Sequence, residues 1–282
     1  MPELPEVQTV VSQLGEKIVG KKVKSVWSDW LKAVRPSLTR LEKSVIGTEI
    51  IGTRRCGKHI ILDLDNAYSI VIHLKMTGHL LVKNDANRDN IAFQDSYNQF
   101  IHHILTFTDG TTLEFSDMRK FGWMEAMPTP DVQVLPSIAS LGIDALSEKF
   151  TPKVFDEIVA KKAKSKIGVL LLEQNIIAGI GNIYRSESLF QAGVLPDRLA
   201  ADLSEDERRK LLMSIKKVLR KALKYRGMSD GDFRDTDGRE GEFQKVLGVY
   251  GQSGKPCPKC GTIIQRMKLG QRSAFFCPSC QQ

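Results

Sequence analysis

A chain of 282 residues with 41% hydrophobic positions is long enough for two domains and an appended module, each with a proper core. No apolar run reaches the length of a bilayer, and the acidic, helix-like start is not a signal peptide, so a soluble cytoplasmic protein is expected and a membrane protein excluded. Net charge is +8 but uneven: residues 1–150 hold 17 Lys/Arg and 18 Asp/Glu, whereas 151–282 hold 24 and 15. The basic half points either to a polyanion partner or to a plain solvated surface.

The chain opens Met1-Pro-Glu-Leu-Pro-Glu6. A methionine before a small residue is normally trimmed, which would leave Pro2 with a free secondary α-amine. Such an amine titrates near ~8 against ~10.4 for lysine, and its attack on an aldehyde-like carbon gives an iminium. Glu3 adjoins that amine and Glu6 lies one helical turn on. The same residues also suit an ordinary helix start, with Pro5 in the first turn and Glu6 at the positive end of the dipole. Val7, Val10, Val11, Leu14 and Ile18 keep helical spacing, so a helix is expected over residues 6–19.

Alternating stretches at 22–27, 49–54, 59–64, 69–74, 104–108 and 111–115 read as strands, the last two joined through the Asp109-Gly110 turn. Residues 84–100 read as a loop. Residues 1–135 therefore read as a β-rich domain of sandwich pattern with a helix attached, and 136–150 as a linker.

Thr151 caps a helix with Pro152 at its first position. Residues 166–177 read as an apolar helix, 178–181 as a tight turn, and 182–192 as a helix closed by Gly193. Ser204 and Glu207 make a capping box for a long helix ended by Gly227. Residues 228–243 read as a mobile loop, and 151–250 as one helical domain. The last module, 251–282, holds Cys257-x2-Cys260-x16-Cys277-x2-Cys280. This is the spacing of a four-thiolate structural zinc site. Cys56 is left over as a small core residue.

Three features occur together in order: the Pro-Glu-Leu-Pro-Glu-Val start, Gly179-Ile-Gly-Asn-Ile-Tyr184 with Ser186-Glu-Ser-Leu-Phe190, and a four-cysteine finger containing Gln271-Arg-Ser-Ala-Phe-Phe276. The combination resembles the formamidopyrimidine-DNA glycosylase (Fpg/Nei) family over essentially the whole chain. The resemblance implies an α+β, bilobal fold: an N-terminal β-sandwich with a flanking helix, then a helix–two-turns–helix domain bearing a zinc finger. It implies excision of oxidised purines from duplex DNA, followed by β,δ-elimination at the abasic site, within base excision repair. One structural zinc and no organic cofactor are expected.

The resemblance makes Pro2 the nucleophile, Glu3 the proton donor and later acceptor, and Glu6 an orienting group. It makes Lys58 a phosphate contact that supports elimination, and Arg272 a grip on the phosphates flanking the lesion. Met76 resembles the residue that fills the gap of a flipped base, with Arg119 and Phe121 as its partners. Asn182, at a helix start, is positioned to clamp a phosphate oxygen or to act as a plain cap. Local pattern alone would make Met76 and Phe121 core residues and Lys58 a solvated strand end.

Some positions depart from the family. The usual Gly-Gly-Ser/Thr-Thr of the lesion-recognition loop is Gly227-Met-Ser-Asp here. Gly168 stands where a lysine often follows the isoleucine, leaving Lys164 or Lys166 to take that contact. Of a His-x-His pair only His102 matches. Competing functions are a Nei-like glycosylase for oxidised pyrimidines and a non-catalytic damage-binding protein. The partner is double-stranded DNA with damaged bases or abasic sites, bound by a monomer in the cytosol or nucleoid.

Overall fold

The apolar stripe at the start of the chain becomes helix α1, Leu4–Ile18, in the computed structural model, which describes residues 2–282. The helix begins earlier than its stripe because Glu3 and Glu6 form a reciprocal capping box. Val7, Val10, Val11, Leu14 and Ile18 are all buried.

After α1 come β1 (Val23–Ser28), β2 (Val34–Arg35), helix α2 (Leu38–Val45), β3 (Ile50–Cys56), β4 (His59–Leu64), β5 (Tyr68–His73), β6 (Gly78–Lys83), β7 (Ile101–Phe107), β8 (Thr112–Asp117) and β9 (Trp123–Pro128). They make two sheets, one ordered β1-β7-β8-β6 and one ordered β2-β9-β5-β4-β3. The core between them shows the two-residue period of half-buried strands. Ile60, Leu62 and Leu64 of β4 join Leu80, Leu105, Phe107 and Phe115 of the other sheet, together with the α1 stripe. Ile61 points the opposite way, into a second cluster with Val71, Trp123 and Val132.

The expected linker, 136–150, does not begin as open chain. A 3-10 turn over Thr129–Val134 and helix α3, Pro136–Ala139, bury Val132 and Ile138 beneath the second sheet. The remaining elements are β10 (Ile143–Asp144), α4 (Pro152–Lys161), α5 (Ile167–Leu170), β11 (Ile177–Ala178), α6 (Asn182–Ala192), α7 (Glu205–Lys224) and the finger strands β12 (Gln265–Leu269) and β13 (Arg272–Phe276).

The expected helix over 166–177 is only one turn, α5. Its apolar residues are buried on more than one side, so they do not mark a single helical face. Beyond it Gln174 holds a turn, accepting from the Gly179 amide at 3.0 Å and donating to the Ile180 carbonyl at 2.6 Å. Residues 177–178 then pair in parallel with 143–144. The predicted cap of α7 is present in full: the Ser204 amide donates to Glu207 Oε2 at 2.8 Å, and the Glu207 amide donates to Ser204 Oγ at 3.3 Å.

The domain boundaries also differ from those expected. One compact unit comprises 2–139 with Tyr225–Gln244, and the other comprises Ser140–Lys224 with Lys245–Gln282. Residues 225–244, read from sequence as the end of a 151–250 domain, thus fold with the β-sandwich. Nor is 228–243 a loose loop. Phe233 enters the sandwich core, and Gln13 Oε1 accepts from the Thr236 amide at 3.0 Å. Lys17 pairs with Asp237 at 2.7 Å. The buried Arg234 pairs with Asp95 at 2.8 Å. Polar composition concealed this, because the segment is held largely by side-chain hydrogen bonds, and its buried apolar residues Met228, Phe233 and Phe243 are scattered without a helical or strand period. Among the described residues, no helix is long and apolar enough to cross a membrane.

Candidate active site and nucleic-acid interface

In the sandwich unit, Pro2, Glu3 and Glu6 are all buried at the N-terminus of α1. The Glu6 carboxylate is shared. One oxygen accepts from the Glu3 amide at 2.7 Å, and the other accepts from the Met228 amide at 2.7 Å. This carboxylate therefore joins the start of α1 to the 227–243 segment. Gly227 makes the approach feasible: its φ is +80, and a Cβ there would lie 2.6 Å from Glu6 Oε1. The helix dipole adds positive potential at the same place, which suits carboxylates.

Lys58 is nearly buried in the turn between β3 and β4, after Gly57 at φ +56. Its charge reaches His73 on β5, whose pKa lies at about 2. Burial is the largest cause, and the charges of His59, Lys75 and Lys58 add to it. His59 is likewise held down at about 4, mainly by burial. Both imidazoles are neutral at physiological pH and pack edge to face, with ring centroids 4.7 Å apart.

Met76, Arg119 and Phe121 are brought together by β-sheet register. Gly78 of β6 pairs with Asp117 of β8, so the loops before and after these residues lie side by side. The Arg119 guanidinium is 3.3 Å from the Met76 sulfur and 4.7 Å from the Phe121 ring. Met76 is 40% and Phe121 51% exposed, so neither is the core residue that local pattern suggested. The organiser is a residue that sequence reasoning missed. Buried Asp117 accepts from the Thr77 hydroxyl, from the Arg119 amide at 3.3 Å and from the Gly122 amide at 2.7 Å. Its place between a strand end and a Met-Arg turn was the available signal.

His102, the match to the family's His-x-His and a candidate DNA contact, stands beside Asp29. It is buried on β7, its Nδ1 is 2.8 Å from Asp29 Oδ1, and its Nε2 is enclosed. The register of β7 against β8 shifts between Ile101 and His103, so His102 falls in a bulge, outside the alternation that sends His103, Leu105 and Phe107 to the core side.

In the second unit, Asn182 is the first residue of α6, after Gly181 as N-cap. Its side-chain oxygen accepts from Arg185 at 2.5 Å. That leaves the amide NH2 and the helix N-terminus as donors for an anion. Arg185 is fully buried, and it also donates to the Gly168 carbonyl at 3.2 Å and to the Ser273 carbonyl at 2.8 Å. Ser273 follows Arg272, which is exposed at the start of β13. Arg185 thus ties Asn182 to the strand carrying Arg272, and sequence reasoning had not singled it out. Gly168 is explained too: a Cβ would lie 2.6 Å from the Pro196 carbonyl and 2.7 Å from Leu269. Lys164 and Lys166 are both exposed nearby in sequence.

Glu187 of the Ser186-Glu-Ser motif captures three consecutive amides, those of Gly248, Val249 and Tyr250, at 2.8–2.9 Å. It fixes the chain as it enters the finger. The four finger cysteine sulfurs lie within 4.8 Å of one another, with Cys257 to Cys280 at 3.9 Å and Cys260 to Cys277 at 3.5 Å. Tetrahedral zinc with bonds of about 2.3 Å places sulfurs about 3.8 Å apart, whereas a disulfide needs about 2.05 Å. The four thiols fit one structural zinc ion.

Three family models match the chain. Residues 1–124 match the formamidopyrimidine-DNA glycosylase N-terminal domain, 141–233 the H2TH domain of the same enzymes, and 254–282 the zinc finger found in FPG and IleRS. A relative from Pelotomaculum thermopropionicum, a formamidopyrimidine-DNA glycosylase, is 37% identical, covering 100% of this chain and 99% of the relative. Among solved structures, Lactococcus lactis Fpg with N7-benzyl-Fapy-dG DNA is 35% identical with a TM-score of 0.87. The same enzyme with DNA containing an oxidised pyrimidine is also 35% identical, with a TM-score of 0.86. Both cover 100% of each chain.

Proposed function

The chain belongs to the formamidopyrimidine-DNA glycosylase family, and on that premise we propose that it excises oxidised purines from duplex DNA and then cleaves the strand as an AP lyase. The observation that carries this reading is the burial of Pro2, Glu3 and Glu6 together at one helix N-terminus, with Glu6 locked to the Met228 amide.

With Met1 removed, the Pro2 nitrogen lone pair attacks C1′ of the damaged nucleotide. The glycosidic bond breaks and its electron pair leaves with the base. Glu3 delivers a proton to the sugar ring oxygen as the C1′–O4′ bond opens, and the nitrogen loses its own proton to give an iminium. The iminium acidifies the C2′ proton. Its removal expels the 3′ phosphate, and a second elimination expels the 5′ phosphate. Burial of both carboxylates keeps bulk water from competing for the proton and the iminium.

The remaining groups bind. Lys58 holds the phosphate beside the lesion, while Asn182 and Arg272 hold its neighbours. Met76, Arg119 and Phe121 occupy the gap and meet the widowed base. The zinc ion shapes the finger that presents Arg272.

Borohydride trapping tests the chemistry. Incubation with a duplex holding 8-oxoguanine opposite cytosine, followed by reduction, should give a covalent adduct that mass analysis places on Pro2. Pro2→Gly should lose the adduct. Tight binding with no adduct would replace the enzyme with a damage-binding protein. Faster excision of thymine glycol than of 8-oxoguanine would replace it with the pyrimidine-directed reading.

A further inference from the structure

The Met76 and Phe121 tips form one edge of a groove of about 500 Å3 whose other lining residues have no role above. Its floor is the buried Trp123 of β9, with Arg35 of the adjoining β2 stacked over the ring at 4.6 Å. One wall is the half-buried Trp30, flanked by Lys120 at 4.8 Å and Lys32 at 5.6 Å from its ring. Lys75 completes the lining, and no acidic side chain among the described residues lines it.

These cations are not a by-product of a basic unit. Residues 1–139 and 225–244 together hold 19 Lys/Arg against 22 Asp/Glu. Four cations around two indoles, in a unit of net negative charge, are segregated onto one face. Two of the four, Lys75 and Lys120, have left-handed backbones at φ +56 and +55, a conformation that non-glycine residues seldom adopt. Strained backbone of this kind clusters at ligand sites. Here it occurs once in each of the two loops that Asp117 gathers.

We propose that this groove seats a stretch of one DNA strand next to the wedge, with phosphates on Lys32, Arg35, Lys75 and Lys120 and one unstacked nucleobase on Trp30. Alternating cations and aromatic faces are what a single strand recognises, since phosphates are anionic and every base has a π-face. The proposal deepens the DNA-repair reading and rests on it. Either strand of the duplex supplies the same chemistry, so the experiment must identify which.

The test uses the full chain and duplexes with a stable abasic analogue at the lesion. Each duplex also lacks one base, at a single position within three nucleotides of the lesion, on one strand or the other. At one position, loss of the base should weaken wild-type binding about tenfold while leaving the affinity of Trp30→Ala unchanged. The strand containing that position is the one seated. Separately, Lys32→Ala with Lys120→Ala, both at exposed positions, should lower the slope of log K against log salt by about two. Base removal that weakens wild type and Trp30→Ala equally at every position, or an unchanged salt slope in the lysine variant, would overturn the proposal. Borohydride trapping of the wild type is scored in parallel. An adduct with no groove effect rejects the groove alone, whereas no adduct rejects the enzyme reading whatever the groove does.

Discussion

The Glu6 carboxylate accepts the Met228 amide at 2.7 Å, across 222 positions of sequence. A residue of the opening motif thus fixes the start of a segment whose opening departs from the family's usual Gly-Gly-Ser/Thr-Thr. The contact exists only because Gly227 lacks a side chain.

Gly227→Ala should therefore disturb Glu6 as well as the loop. Excision and borohydride adduct should fall about tenfold or more, as expected when a positioned group is displaced by about 1 Å. Gly251→Ala is the control: its φ is +70, but nothing lies within 4 Å of its Cβ. It should lose only the left-handed preference, about 1 kcal/mol by thermal melting, with excision unaffected.

Asp117 accepts three hydrogen bonds while only 4% exposed. Asp117→Ala should cost about 2–3 kcal/mol of stability by urea denaturation, because buried donors lose a charged acceptor. Binding to lesion duplex should fall with it, since Met76 and Arg119 lose their common support.

Arg185→Lys keeps the charge but not the fork that reaches the Asn182, Gly168 and Ser273 oxygens. Its affinity for duplex should fall to near that of Asn182→Ala. The double variant should be little weaker than either, because the two act as one unit. Arg272→Ala should reduce the salt slope by about one.

One zinc per chain should be measured by metal analysis. Chelation, or Cys277→Ser, should unfold the finger and abolish tight DNA binding. Binding that survived complete zinc removal would show that the metal does not support a DNA-contacting element.

His59, His79 and His103 titrate at about 4 and His73 at about 2, burial being the main cause in each. These values lie below the usual ~6.5 of an unfolded histidine. The unfolded chain therefore binds more protons below that pH, and stability must fall as pH falls. The contribution is complete above about 6.5 and declines towards 4, by about 1 kcal/mol per pH unit for each histidine that stays neutral when folded. Denaturation curves at pH 7 and pH 5 measure it.

Local chemistry was enough to reveal much of this protein. The α1 stripe, the Ser204–Glu207 capping box, the Asp109-Gly110 turn and the paired cysteines each depend on residues a few positions apart. The resemblance supplied the candidate site, because its motifs are short and contiguous. Tertiary structure decided what depends on distant partners. The apolar run 166–177 proved to be a buried turn. His102 fell in a β7 bulge beside Asp29. The polar segment 228–243 joined the sandwich through Gln13, Lys17 and Asp95. Arg185 has no local signature and Asp117 only its place at a strand end, since one carboxylate or guanidinium among many gains its importance from the groups folding brings to it. Sequence determined the elements and the reactive groups; the long-range hydrogen bonds of buried polar side chains decided how they meet.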